Sequence, residues 1–133
     1  MQAERVIFPG ERRYITFRLA LPPSANHIYE PIVRRTKKGN LAHGKMWSVD
    51  YKLWRLMARQ QVGDWAPPRC PLGVQIDLHV PLQTMRRSDL DGYIKPLLDA
   101  VVGSRSDQYV DRLVVLRFVV EGEGYAVVTV EEL

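Results

Sequence analysis

One cysteine, Cys70, stands in 133 residues, so no disulfide can form within the chain. That scarcity points to a reducing compartment, and a cytoplasmic location is expected. Histidines number three, and His27 and His43 have no metal-ligand spacing with each other or with Cys70. Zinc is disfavoured on that ground. No apolar run approaches the ~20 residues that cross a bilayer, so no membrane partner is expected. Glu4, Arg5, Glu11, Arg12 and Arg13 break up the N-terminus, which excludes the apolar core of a secretory leader there. Internal repeats and low-complexity linkers are lacking as well. At this length the chain reads as one domain over residues 1–133, large enough for an independent core.

A hydrophobic content of 46% with 26% charged residues describes a soluble globular protein. The net charge of +4 is unevenly spread. Residues 1–62 hold twelve Lys/Arg against four Asp/Glu, and residues 63–133 hold seven against eleven, giving balances of +8 and −4. A basic half joined to an acidic half fits a polyanion-binding surface next to a metal-binding pocket. A solvated surface with random asymmetry gives the same count.

Ile15, Phe17 and Leu19 alternate with Thr16, Arg18 and Ala20, which predicts a first strand ended by Pro22-Pro23. Residues 26–45 are polar and basic with turn signals at Gly39-Asn40 and Gly44, so a long loop or exposed ribbon is expected. Ser48 is placed to cap a helix running to about Val62, in which Val49, Leu53, Leu56, Met57 and Gln60 share one face. Gly63 ends it. Val74, Ile76, Leu78 and Val80 alternate with Gln75, Asp77 and His79 as a second strand with one buried face. A second helix carries the stripe Ile94, Leu97, Leu98, Val101 and Val102, ended by Gly103. Pro96 requires either a start near Lys95 or a bend. Residues 113–121 and 125–131 read as two last strands, joined by Gly122-Glu123-Gly124 as a hairpin. The order β-α-β-α-β-β predicts an α+β domain with two main helices on a mixed four-stranded sheet.

Chemistry concentrates in the second half. Asp89 and Asp91 flank Leu90 directly after Arg86, Arg87 and Ser88, and Lys95 follows one helical turn later. Residues two apart on an extended segment point to one side, ~6.6 Å apart, so both carboxylates can reach one ion. Hard oxygen ligands suit Mg²⁺, which completes its shell with water and substrate phosphate. A lysine one turn on can steer a phosphate or stabilise its developing charge. Against this stands a plainer reading: Asp91 as a helix cap, with Asp91, Lys95 and Asp99 as solvated ion pairs. Asp111 sits at the mouth of the last apolar run, with Asp107 nearby as a loop residue. Asp77 and His79, on a strand's polar face, read as supporting or solvent groups. Arg34, Arg35, Lys37, Lys38 and Lys45 form the densest basic segment, edged by Tyr29 and Trp47. Cations there can contact phosphates and the aromatics can stack on bases, although a charge run is also an ordinary solvated loop. Trp54 and Trp65 read as packing residues.

Taken together, these segments resemble the RusA family of Holliday junction resolvases over most of the chain. Leu21-Pro22-Pro23-Ser24-Ala25-Asn26 with Tyr29 is similar to the family's N-terminal signature. Arg87-Ser88-Asp89-Leu90-Asp91 with Lys95 and Asp99 resembles its central motif, and Val110-Asp111 its third acidic position. Two departures stand out: Gly92 replaces the usual asparagine, and Val110-Asp111-Arg112-Leu113 keeps one acid where the family often pairs two. Residues 1–12 lie outside the resemblance. The resemblance implies metal-binding aspartates at Asp89, Asp91 and Asp111 and a catalytic lysine at Lys95. It further implies DNA contacts including Asn26, Tyr29, Arg86 and Arg87 beside the basic segment, and a homodimer with two active sites. The function expected is a Mg²⁺-dependent endonuclease (Mn²⁺ being the alternative metal) resolving four-way junction DNA in recombination and repair. The rival readings are a non-catalytic basic DNA-binding protein and a metal phosphatase acting on small substrates.

Overall fold

The computed structural model describes residues 4–6, 14–23, 29–84, 90–103 and 105–133. In chain order the elements are β1 (Glu4–Val6), β2 (Tyr14–Ala20), β3 (Tyr29–Arg35), β4 (Leu41–Trp47), α1 (Val49–Val62), β5 (Leu72–Pro81), α2 (Asp91–Val101), β6 (Val110–Val120) and β7 (Tyr125–Glu132). A 3-10 turn, Asp107–Tyr109, precedes β6. The four expected strands, β2, β5, β6 and β7, form a mixed sheet in an α+β domain, and short β1 adds a fifth strand at one edge, in the order β1-β2-β7-β5-β6. Strands β5 and β6 are parallel with α2 between them in the chain, and the other pairs are antiparallel.

Alternation fixes which side of the sheet is buried. Ile15, Phe17 and Leu19 from β2, Val74, Ile76, Leu78 and Val80 from β5, and Ala126, Val128 and Val130 from β7 all face one core. The helices cover it with Tyr51, Trp54, Ala58 and Val62 from α1, and Tyr93, Leu97 and Val101 from α2. Truncating a fully buried member such as Leu97 to alanine costs ~2–5 kcal/mol by cavity formation. Trp54 and Trp65 pack as expected. The Trp54 indole donates to the Ala20 carbonyl at 2.8 Å, and Trp65 tilts onto Phe17 with ring centroids 5.2 Å apart.

Two expectations are corrected. First, the stripe Val49, Leu53, Leu56 and Met57 does not face the core; each of these side chains is more than half exposed. Helix α1 has a second stripe at helical spacing, and its tryptophan meets a backbone carbonyl of β2 as well as the core. Packing and a hydrogen bond together outweigh apolarity alone. Second, β6 and β7 are not a hairpin: β5 lies between them. The 121–124 connection crosses the end of β5, where a Cβ on Gly124 would lie 2.7 Å from Pro81 Cδ and 2.8 Å from the His79 carbonyl oxygen. Glycine there permits the close crossing rather than a tight turn. Of the two alternatives for α2, the start near Lys95 is not the one adopted: the helix starts at Asp91 and carries Pro96 inside it on the buried face. The stripe expected on α2 is otherwise present, Ile94 and Leu98 being half-buried at its margin.

Local signals held. The Ser48 hydroxyl accepts from the Tyr51 amide at 3.2 Å, capping α1, and Gly63 (φ 65°) and Gly103 (φ 84°) follow the two helices in the left-handed region.

Candidate functional site

Helix α2 presents its expected polar face. Asp91, Lys95 and Asp99 recur every four residues opposite the buried Tyr93, Leu97 and Val101. Asp91 is the first helical residue, and the capping position is Leu90, which makes no side-chain cap. So Asp91 is not the cap that the plainer reading requires. Its charge sits where the helix dipole favours an anion. Lys95 pairs with Asp99, not Asp91, at 3.4 Å, with its side chain 77% exposed. Among the described residues, the Asp91 side chain has no hydrogen-bond or ion-pair partner.

Asp111 occupies an irregular position. Leu72 is opposite Val110 and Gly73 is opposite Arg112, so Asp111 is the extra residue of a β-bulge at the mouth of β6. Bulges re-aim side chains and recur beside active sites. The next residue, Arg112, reaches across side-chain-free Gly73 to an ion pair with Glu131 on β7. That pair ties up the cation nearest Asp111 in sequence and leaves the Asp111 carboxylate exposed. Nothing in the local sequence marks the bulge, because it exists only in the register between β5 and β6.

Asp89, Arg86, Arg87 and Asn26 lie outside the described residues. Among the described residues no three His, Cys, Asp or Glu side chains converge, and the expected acidic triad includes Asp89. Asp107 is exposed in the 3-10 turn, in accord with a loop role.

The neighbouring polar groups have structural partners. Asp77 accepts from the Gln75 amide at 3.1 Å. The His79 ring lies between Tyr125 at 4.2 Å and Phe118 at 5.1 Å, and Arg18 stacks on Tyr125 at 3.8 Å. These four form a row across β2, β7, β5 and β6 on the sheet face away from the core.

The basic segment is an exposed two-stranded ribbon, β3–β4, separate from the main sheet. Arg34 is opposite Ala42, Arg35 opposite Leu41, and Lys45 opposite Pro31. Thr36 and Asn40 close the turn that carries Lys37 and Lys38. Tyr29 pairs with Trp47 at the ribbon's root. Arg55 of α1 lies 4.0 Å over the Trp47 ring, which takes one of the faces expected to stack on bases. The sequence held no signal for that contact. No helix among the described residues is long and apolar enough to cross a membrane. Compared with family models and with curated proteins, the chain matches none.

Proposed function

We propose that the protein is a Mg²⁺-dependent endodeoxyribonuclease that resolves four-way junctions by paired phosphodiester hydrolysis, working as a cytoplasmic homodimer in recombination and repair. The observation that carries this reading is the pair of acidic positions, Asp91 and Asp111, whose side chains are exposed and have no hydrogen-bond or ion-pair partner among the described residues. One stands at a helix start it does not cap, and the other at a bulge. Two exposed carboxylates fit a hard dication, which needs few protein ligands.

In this proposal Asp89, Asp91 and Asp111 hold the ion, which when bound polarises a phosphoryl oxygen and lowers the pKa of water. Lys95 lies one turn above Asp91 on the same face, where it neutralises charge developing on the phosphate. Arg86 and Arg87 flank the scissile strand. The ribbon holds the DNA arms through Arg34, Arg35, Lys37, Lys38 and Lys45, and Asn26 and Tyr29 add further DNA contacts. A two-stranded ribbon fits the B-DNA major groove, ~12 Å wide.

The test is a labelled four-way junction incubated with protein and Mg²⁺ or with EDTA. Paired nicks are expected only with the metal. Asp91→Asn and Asp111→Asn should each abolish cleavage yet bind the junction, because the basic surface is untouched. Binding without cleavage in every divalent metal would leave the non-catalytic DNA-binding reading, which the Lys95–Asp99 pair favours. Full activity in either variant would remove that residue from the site.

A further inference from the structure

Strand β6 is the outermost strand of the sheet, and among the described residues none pairs with its free edge. Edges of this kind are normally blunted by lysine, proline or bulges, or kept short. This one is eleven residues long with no lysine or proline, and its bulge at Asp111 protects only the beginning. Both faces are apolar along the edge. Leu113 and Val119 lie on the core side and Leu116 and Phe118 on the other, all four 41–48% exposed. The interior strands instead alternate apolar with polar residues.

We propose that β6 pairs antiparallel with β6 of a second copy across a two-fold axis at Leu116, joining the two sheets. The proposal names the surface of the homodimer suggested above, but it rests on the edge and not on the resemblance. Unpaired backbone groups call for an extended strand, and apolar side chains on both faces call for a partner with the same property. Of the two edge strands of the five-stranded sheet, β6 has it and the three-residue β1, Glu4–Val6, does not. Beyond the bulge the regular segment is 112–120, whose midpoint is residue 116. An axis there sets Leu113 opposite Val119, Val114 opposite Phe118, and Leu116 opposite itself. Every strongly exposed apolar side chain then meets another. Arg112 and Arg117 face Val120 and Val115, so no arginine opposes another, and the acids Asp111 and Glu121 come opposite each other only at the rim, beyond the regular segment.

The four side chains leave on the order of 350 Å² of apolar surface in water, divided between the two faces and in total no more than the largest patch of an ordinary monomer. A standard interface takes ~800 Å² from each partner, and Val114, Val115, Val120 and the backbone edge supply more. The outer face of α1 is equally apolar, but no backbone pattern there specifies an occupant.

Sedimentation velocity of the full chain at micromolar concentration, without DNA or metal, should give a dimer. Leu116→Lys should give a folded monomer by circular dichroism, since the side chain is already part-exposed. Paired strands bring opposed Cα atoms to ~4.5–5.5 Å, within disulfide range. In a Cys70→Ser background, Leu116→Cys should therefore cross-link to its copy on diamide oxidation, while Leu113→Cys should not. A monomeric wild type, a dimer indifferent to Leu116→Lys, or cross-linking through Leu53→Cys on α1 instead would each overturn the proposal. Because no readout involves cleavage, the endonuclease reading stands or falls separately.

Discussion

Lys95 projects from α2 with 77% of its side chain exposed and reaches Asp99 at 3.4 Å. In water a pair of this kind contributes ~0.3–0.5 kcal/mol to stability, so structure alone gives the lysine little to do. A cation acting on a scissile phosphate is worth far more in the transition state. Lys95→Ala should therefore slow single-turnover junction cleavage by ~10²-fold or more while shifting stability by no more than ~0.5 kcal/mol. Asp99→Asn, which removes only the pair, should leave the rate nearly unchanged. Lys95→Arg should restore it in part, because a guanidinium cannot take an ammonium's position. Near-normal turnover of Lys95→Ala would reduce the residue to a surface ion pair. At this scale much was legible in the sequence: the Ser48 cap, the glycines after both helices and the polar face of α2 are local chemistry. The bulge at Asp111 was not, because register with β5 creates it.

Helix α1 shows where periodicity stops being decisive. Two stripes of comparable regularity run along it. Val49, Leu53, Leu56 and Met57 are the more uniformly apolar, yet Tyr51, Trp54, Ala58 and Val62 are buried. The choice depends on Trp54 reaching the Ala20 carbonyl, a contact made across 34 residues of sequence and invisible along it, while the Trp54 ring also stacks at 6.1 Å on Tyr51 one turn away. Substitutions on the two faces should separate cleanly in denaturant unfolding. Leu53→Gln should change stability by no more than ~0.5 kcal/mol, as at other exposed positions. Trp54→Ala should cost ~3–5 kcal/mol. Equal losses at both positions would mean that the outer stripe is covered in solution. The β6–β7 connection is a similar case. Gly-Glu-Gly between two apolar runs signals a hairpin locally, and only the insertion of β5 turns it into a crossing.

At the scale of the whole molecule, a two-layer body carries a basic ribbon that shares no strand pairing with it. The side chains of Arg34, Arg35, Lys37 and Lys38 are exposed, so their charges do not hold the core together. Their value, if they bind DNA, lies in displacing counterions from phosphates. Each phosphate contact contributes up to ~0.9 to the slope of log affinity against log salt. Replacing all four with glutamine should flatten that slope by as much as ~3.6 and weaken junction binding most at low salt. The unfolding midpoint should barely move. Residual cleavage at high protein concentration should persist, because Asp91, Lys95 and Asp111 belong to the body and not to the ribbon. An unchanged slope would make the ribbon a solvated arm and shift the DNA surface to the cations near α2. A lost unfolding transition would instead show that the ribbon stabilises the body through contacts its exposure does not reveal.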